Sequence, residues 1–502
     1  MMAGRSPCRG RRHGNSFTLR AALVLTALTS APCASGAQVE ISRTDDAQAT
    51  LTPREAADRL THIPVAFEQP QVAKHEIGGV QVILLEDRDL PLVTVATYVR
   101  GGYGLFGREK YGAGTGLPAL LRYGGTRGRS PEEVDREIEM HAFQLAFGTS
   151  GGSISASVNT LTEHLPAAIR LWGDMLNAPR FDVDEIDSWR ARQLEGVLRR
   201  VDDPARLAYS ELNRLLFGDH PIGWEMDAED LAAERLRPQL FEELHASIIC
   251  RENMILGVTG DTDWATIEPL LADFVDDVPP CLAELPAAPI PEIRRAAGVF
   301  LIEKELAQSV VVMAHPTTVQ LGDEPEYYAA MIGNSILGGG GFSSRMLGRV
   351  RTEEGYAYSA TSLWTTPRKH EGIVGATTRT RPENTAPAIE LILSTMSELR
   401  DEAPTEEEVS TTVDRLVNGF VFNFDSPARI VSRTMYYLAQ DLPEDWLERY
   451  LRGVQQVTPE QIRAVFAEHL RPDEMTILVV GDPAMIAEDL ARLGPVQILE
   501  VR

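Results

Sequence analysis

The sequence predicts an α+β protein made of two homologous domains, each a mostly antiparallel sheet with helices packed on one face, joined by a proline-rich linker. Three observations point there. Apolar residues recur with strand and helix periods in alternating stretches. Short segments repeat at spacings of 220–223 residues. Five prolines fall between residues 277 and 292, between two halves of near-equal size.

Residues 1–20 carry Arg5, Arg9, Arg11, Arg12 and Arg20 and no acid, and an apolar run follows from Ala21 to Ala31. With Pro32 and the small residues Ser35-Gly36-Ala37, residues 1–37 read as a secretory signal peptide. The expectation is export to the periplasm; an Arg-rich, acid-poor mitochondrial presequence is the alternative. Cys8 and Cys33 leave with that segment, so only Cys250 and Cys281 remain, as a disulfide or as two free thiols. Residues 38–72 are polar and poorly periodic, an N-terminal extension.

The first domain is expected over residues 73–276. Val80, Val82 and Leu84 alternate as in a strand, and Pro91–Tyr98 is rich in β-branched residues. Leu165, Ile169, Trp172 and Leu176 follow helical spacing, as do Ala208, Leu212, Leu215 and Leu216. Residues 277–292 form the linker, extended and semi-rigid by composition. In the second domain, residues 293–502, Ser309–Met313 and Met475–Val480 read as buried strands. The duplication rests on three matches at one offset. Gly260-Asp261 and Gly481-Asp482 lie 221 apart; Asp203-Pro204-Ala205-Arg206 returns as Asp425-Ser426-Pro427-Ala428-Arg429; Pro166-Ala167-Ala168-Ile169 returns as Pro387-Ala388-Ile389.

The 502 residues include 48 Lys or Arg and 73 Asp or Glu, a net charge of −25; without residues 1–37 it is −30. Such a polyanion lacks the clustered basic residues that neutralise phosphates, which argues against a nucleic-acid partner. Beyond residues 21–31 no apolar stretch approaches the ~18 residues of a membrane span, so no transmembrane segment is expected. The acidic surface is compatible with cationic peptides, or with solubility alone.

The second half contains Leu337-Gly338-Gly339-Gly340-Gly341-Phe342-Ser343-Ser344-Arg345-Met346-Leu347 and then Val350-Arg351-Thr352-Glu353-Glu354-Gly355-Tyr356-Ala357-Tyr358-Ser359. No Gly-Lys-Ser/Thr follows the glycines, which excludes a phosphate-binding loop. These stretches resemble the C-terminal-domain signature of the insulinase/pitrilysin (M16) family of zinc peptidases, the inverted zincins. The first half resembles the family's N-terminal domain at Leu90-Pro91-Leu92-Val93, Gly125-Thr126, Ala178-Pro179-Arg180-Phe181 and Phe217-Gly218-Asp219-His220-Pro221-Ile222-Gly223. The likeness covers about residues 75–500.

The resemblance implies His-x-x-Glu-His on a helix, with a third ligand Glu about 75 residues downstream. This chain has none of it. Its ten histidines (13, 62, 75, 141, 164, 220, 245, 315, 370, 469) include no pair within ten positions. Counting back from Gly125 puts the motif at Gly116, Ala119 and Leu120; counting forward from Gly116-Leu117 gives Ala119, Arg122 and Tyr123. The third ligand falls at Gly196, beside Glu195, read as a solvated helix charge. His220 belongs to a structural turn. The chain is therefore expected to bind no catalytic zinc and no other metal or cofactor.

In active members the C-terminal domain supplies an Arg and, seven positions on, a Tyr to the catalytic chamber. Arg351 and Tyr358 match that spacing. Arg351 is expected to end a helical run, Ser343–Arg351, and Tyr356 and Tyr358 to share one face of the next strand. Otherwise Arg351 would pair with Glu353 or Glu354 and Tyr358 would be a core aromatic. Arg345 is expected to be structural. Gly151–Val158 is either an edge strand able to pair with a peptide or ordinary sheet.

The expectation is a non-catalytic subunit, inactive alone, of an exported heterodimeric peptidase. It would bind unfolded peptide through Arg351 and Tyr358 and complete the chamber of a homologous partner that carries the zinc. The alternative is a purely structural or peptide-binding homologue with no part in catalysis.

Overall fold

Residues 71–501 are described by a computed structural model; the expected signal peptide and nearly all of the N-terminal extension lie outside them. The described chain is one compact unit with two six-stranded sheets. The first sheet contains β1 (Ala73–Ile77), β2 (Val80–Glu86), β3 (Leu92–Arg100), β4 (Gln144–Thr149), β5 (Ser153–Leu161) and β6 (Met254–Gly260), in the order β1-β2-β6-β3-β5-β4. The second contains β7 (Gly298–Glu303), β8 (Ser309–Thr317), β9 (Ala357–Trp364), β10 (Gly372–Thr380), β11 (Thr476–Gly481) and β12 (Val496–Ile498), in the order β12-β7-β11-β8-β10-β9.

The five strands from β2 to β4 map one for one onto those from β7 to β9. The sixth differs in origin: β1 pairs antiparallel with β2 as an N-terminal hairpin, whereas β12 pairs parallel with β7 from the C-terminal end. Only β2–β6, β7–β11 and β7–β12 are parallel, so both sheets are mostly antiparallel, as expected. The repeated Gly-Asp pairs close the corresponding strands β6 and β11.

The helices of the first half are α1 (Tyr111–Tyr123), α2 (Pro131–His141), α3 (Leu165–Asn177), α4 (Val183–Arg199), α5 (Pro204–Phe217), α6 (Pro238–Ile248) and α7 (Trp264–Asp277). Those of the second are α8 (Pro325–Asn334), α9 (Thr385–Asp401), α10 (Glu406–Phe420), α11 (Pro427–Ala439), α12 (Trp446–Gln455), α13 (Pro459–His469) and α14 (Pro483–Leu490). Trp172, Leu117 and Phe241 join strand residues such as Val95 and Val258 in the first core, and Ile332, Met396 and Phe466 join Val311 and Val479 in the second.

One-sided helix packing is only half of the arrangement. The opposite face of each sheet is covered by a helix from the other half. On α5, Leu207, Ala208, Leu212 and Leu216 pack against Phe300, Ile302, Val310, Val312 and Val480 of the second sheet. Reciprocally, Val431, Met435 and Ala439 of α11 pack against Ile83 and Ile255 of the first. The helical period identified α5, but a one-dimensional pattern cannot say which sheet receives it.

The repeat Asp-(Ser)-Pro-Ala-Arg marks where both crossing helices begin. Asp203 accepts from the backbone N–H groups of Ala205 (3.0 Å) and Arg206 (3.2 Å), and Pro204 gives up no useful donor in the first turn. In the second copy Asp425 instead pairs with Arg429 at 2.9 Å. Leu212 is 1 % exposed within this crossing layer. Leu212→Ala is therefore expected to cost about 2–5 kcal/mol, read as a lowered urea midpoint with unchanged slope.

From residue 279 to 297 the chain has neither helix nor strand. Cys250 and Cys281 form a disulfide, which ties the start of this stretch back to the segment before β6. His220 joins the same stretch at its far end: Nδ1 accepts from the Ile222 N–H (3.2 Å), and Nε2 meets the Pro289 carbonyl (3.0 Å). That is the structural turn expected of it.

Candidate functional site

The glycine-rich segment follows α8 in a widened, π-type helical turn, Ser335–Gly339, and a second such turn spans Gly348–Glu353. Widened turns shift the side chains that follow out of the ordinary helical register. Two glycines are required by geometry. A Cβ at Gly338 would run into the backbone nitrogen of Ser362 on β9, and Gly341 has φ +66°, in the left-handed region.

Three arginines leave this segment with different fates. Arg345 makes a two-pronged ion pair with Glu408, both contacts at 2.7 Å. Arg349 does the same with Glu398, at 2.7 and 2.5 Å. Both are thus structural, clamping the segment to α10 and α9. The Arg345 guanidinium holds the Glu408 carboxyl down at about 2. Its folded pKa is depressed, so the stability it contributes is full above the ordinary Glu value near 4.5 and is lost as pH falls towards 2. Acid titration of Glu408→Gln should show a shallower loss of stability across that window than wild type.

Arg351 has no such partner. Among the described residues no carboxylate lies within ion-pair distance of it; its guanidinium carbon lies 4.3 Å from the ring centre of Tyr358 and 4.9 Å from that of Phe342. Both rings are outside the core, Tyr358 77 % and Phe342 78 % exposed. Glu353 and Glu354 do not pair with Arg351, and Tyr358 is no core aromatic. The structure therefore brings the two expected residues together, with Phe342 as a third member. The one sequence signal for Phe342 was a large apolar residue directly after four glycines, where no core position was available.

The neighbouring tyrosines depart from expectation. β9 begins at Ala357, and the register with β10 slips there: Arg379 faces Ser359 but Thr380 faces Ala357. Tyr358 is the extra residue of a bulge, so Tyr358 and Ser359 both face outward, and Tyr356 and Tyr358 do not share a face. Tyr356 is half-buried against the second core, its carbonyl accepting from Thr380 Oγ1 at 2.6 Å. Period-2 counting fails at a bulge, which no local residue announced.

At the position expected for a zinc helix, α1 carries Gly116, Ala119 and Leu120, none with a ligand atom. The indole of Trp189, from α4, fills the space beside Gly116: a Cβ there would stand 2.8 Å from two of its carbons. Trp189 is 5 % exposed and Leu120 is 1 % exposed. Glu195 is exposed and pairs with Arg199 at 2.6 Å, one turn along the same helix. In the alternative register Arg122 pairs with Asp135 at 2.9 Å.

Comparison with known proteins agrees with the geometry. The family description "Peptidase M16 inactive domain" matches residues 235–416. The chain is similar to the M16 peptidase family, and to its inactive members in particular. A crystal structure titled as the peptidase M16 inactive domain from Pseudomonas fluorescens superposes with TM-score 0.71 at 25 % identity, covering 82 % of this chain and 98 % of that one. An uncharacterized zinc protease of Mycobacterium tuberculosis is 24 % identical over 80 % of this chain and 91 % of its own. A "non-peptidase homolog YmxG" of Helicobacter pylori is 19 % identical over 80 % and 92 %.

By the resemblance, α1 stands where M16 peptidases take a zinc ion, and the residues present do not fit one. No imidazole or carboxylate is offered, and tryptophan and leucine occupy the space. The chain is an M16-like peptidase homologue without that family's metal-binding motif. Elsewhere among the described residues, Cys250, Glu252 and Cys281 converge, but their sulfurs are joined. Glu326, Glu468 and His469 also converge, on α8 and α13 of the other half. No helix of the described residues is long and apolar enough to cross a membrane.

Gly151–Val158 resolves as ordinary sheet. Most of it is β5, flanked by β3 and β4, and the edge is β4.

Proposed function

We propose that the chain is the non-catalytic subunit of an exported, heterodimeric zinc metallopeptidase. It joins a homologous subunit that carries His-x-x-Glu-His and zinc, completes its chamber, and holds unfolded peptide with Arg351 and Tyr358. The observation that carries this reading is the sparing of Arg351. Two arginines within six positions are each clamped by a glutamate, while Arg351 is held by two exposed rings with its donors unspent. A guanidinium fixed in this way is a fork of donors for a peptide carbonyl, and a Tyr hydroxyl beside it is a neutral donor. The edge strand β4 offers unpaired backbone groups to an extended peptide. Export is supported by the Arg-rich, acid-free start of the chain and by the Cys250–Cys281 disulfide, which suits an oxidising compartment such as the periplasm better than a mitochondrial matrix.

The test is reconstitution. This chain is mixed with a His-x-x-Glu-His homologue encoded beside it, and complex formation and peptide hydrolysis are measured. Chelator-sensitive hydrolysis that requires both chains supports the proposal; a homologue equally active alone rejects it. The second reading, a structural or peptide-binding homologue, draws on the relative named a non-peptidase homolog.

A further inference from the structure

Between α8, α10, α11 and α12 lies an open-mouthed cavity of about 520 Å³, within the size range of small-ligand sites. Its walls are aromatic: Tyr327, Tyr437, Trp446 and Tyr450 line it together with Arg415 and Arg433. No Asp or Glu lines it, in a chain of net charge −25. Among the described residues neither arginine has a carboxylate partner. Arg433 donates to Asn423 Oδ1 (2.5 Å) and towards the Tyr437 hydroxyl (3.5 Å). Arg415 donates to the Gly340 carbonyl (2.6 Å) and Ser335 Oγ (2.7 Å), on the turn that leads into Phe342.

The hydroxyls of Tyr327 and Tyr450 make no hydrogen bond to any described residue. Burial raises both phenols above their ordinary pKa, so they are donors at neutral pH. Two half-buried guanidinium groups and two unspent phenol donors around one apolar-walled space leave positive charge unneutralised, a cost that an anionic ligand would remove.

We propose that this cavity binds a carboxylate carried on an aromatic or branched aliphatic body, as at the C-terminal residue of a peptide. The arginines and phenols take the carboxylate, and Trp446 with the tyrosine rings takes the side chain. The site belongs to this chain alone, so its test is independent of any partner.

The purified chain is titrated calorimetrically with the peptide Gly-Gly-Gly-Gly-Phe as free acid and as C-terminal amide, and with N-acetylphenylalanine. Saturable binding of the free-acid peptide is expected, with the amide weaker by about 10–100-fold, the worth of one charge-assisted hydrogen bond. Arg433→Gln should weaken the free acid by a similar factor without weakening the amide, and Arg433→Lys should restore part of the loss. If the acetylated amino acid binds as tightly as the peptide, the proposal of a chain terminus is overturned in favour of a free acid ligand. No saturable binding, or equal binding of acid and amide by the unaltered chain, overturns the proposal whether or not Arg433→Gln folds.

Discussion

Arg351→Ala is expected to lower peptide hydrolysis by the reconstituted pair roughly 10²–10³-fold, the loss typical of one donor aimed at a developing oxyanion. Tyr358→Phe should have an effect of the same order. The two substitutions separate what each group does. Phenylalanine at 358 keeps the ring 4.3 Å from the Arg351 guanidinium, and so keeps the arginine positioned, but removes the hydroxyl. Alanine at 351 removes the fork and leaves two exposed rings unsupported. The fall should be in kcat, with complex formation unchanged by size-exclusion chromatography. Glu408→Gln, which loosens the Arg345 clamp, should leave activity per folded complex intact. Full activity in both the Arg351 and Tyr358 variants would make the pair a relic and favour the structural reading.

Grafting the missing motif is expected to fail. Gly116→His, Ala119→Glu and Leu120→His together restore the family's spacing on α1, with Gly196→Glu as third ligand. A side chain at 116 must displace the Trp189 indole, 2.8 Å from the new Cβ, and an imidazole at 120 replaces a leucine that is fully enclosed. The expected cost is of order 3–5 kcal/mol, from a buried leucine lost and a polar ring buried without a partner. Urea unfolding measures the loss, and equilibrium dialysis against zinc should give much less than one ion per chain. A variant as stable as wild type that binds zinc one to one would show that only the ligands are missing, and that the surrounding space was never given up.

The duplication and both sheets were legible because their signals are local: alternating Val80, Val82 and Leu84, or Gly-Asp at the end of β6 and again at the end of β11. The exchange of α5 and α11 was not, since helical spacing fixes a buried face but not its recipient 200 residues away. At the site, Arg351 and Tyr358 were singled out through their setting and spacing, but the stacking of the guanidinium on the tyrosine ring was not legible. The bulge at Tyr358 and the role of Phe342 depend on the close approach of the glycine turn to β9, a tertiary fact. The loss of zinc ligands could be counted from the sequence. That Trp189 now seals their place could not, because α1 and α4 meet only in the fold.

Each half of the chain wears a helix that the other half made. A protease cut anywhere between residues 282 and 297 would not be bridged by the Cys250–Cys281 bond, yet the two fragments should stay clasped and leave a sizing column together until denaturant is added. Neither fragment made by itself should be soluble, for each would expose one bare sheet face and one orphaned greasy helix. The covalent tether is thus dispensable to the finished protein, while the handshake beneath it is not.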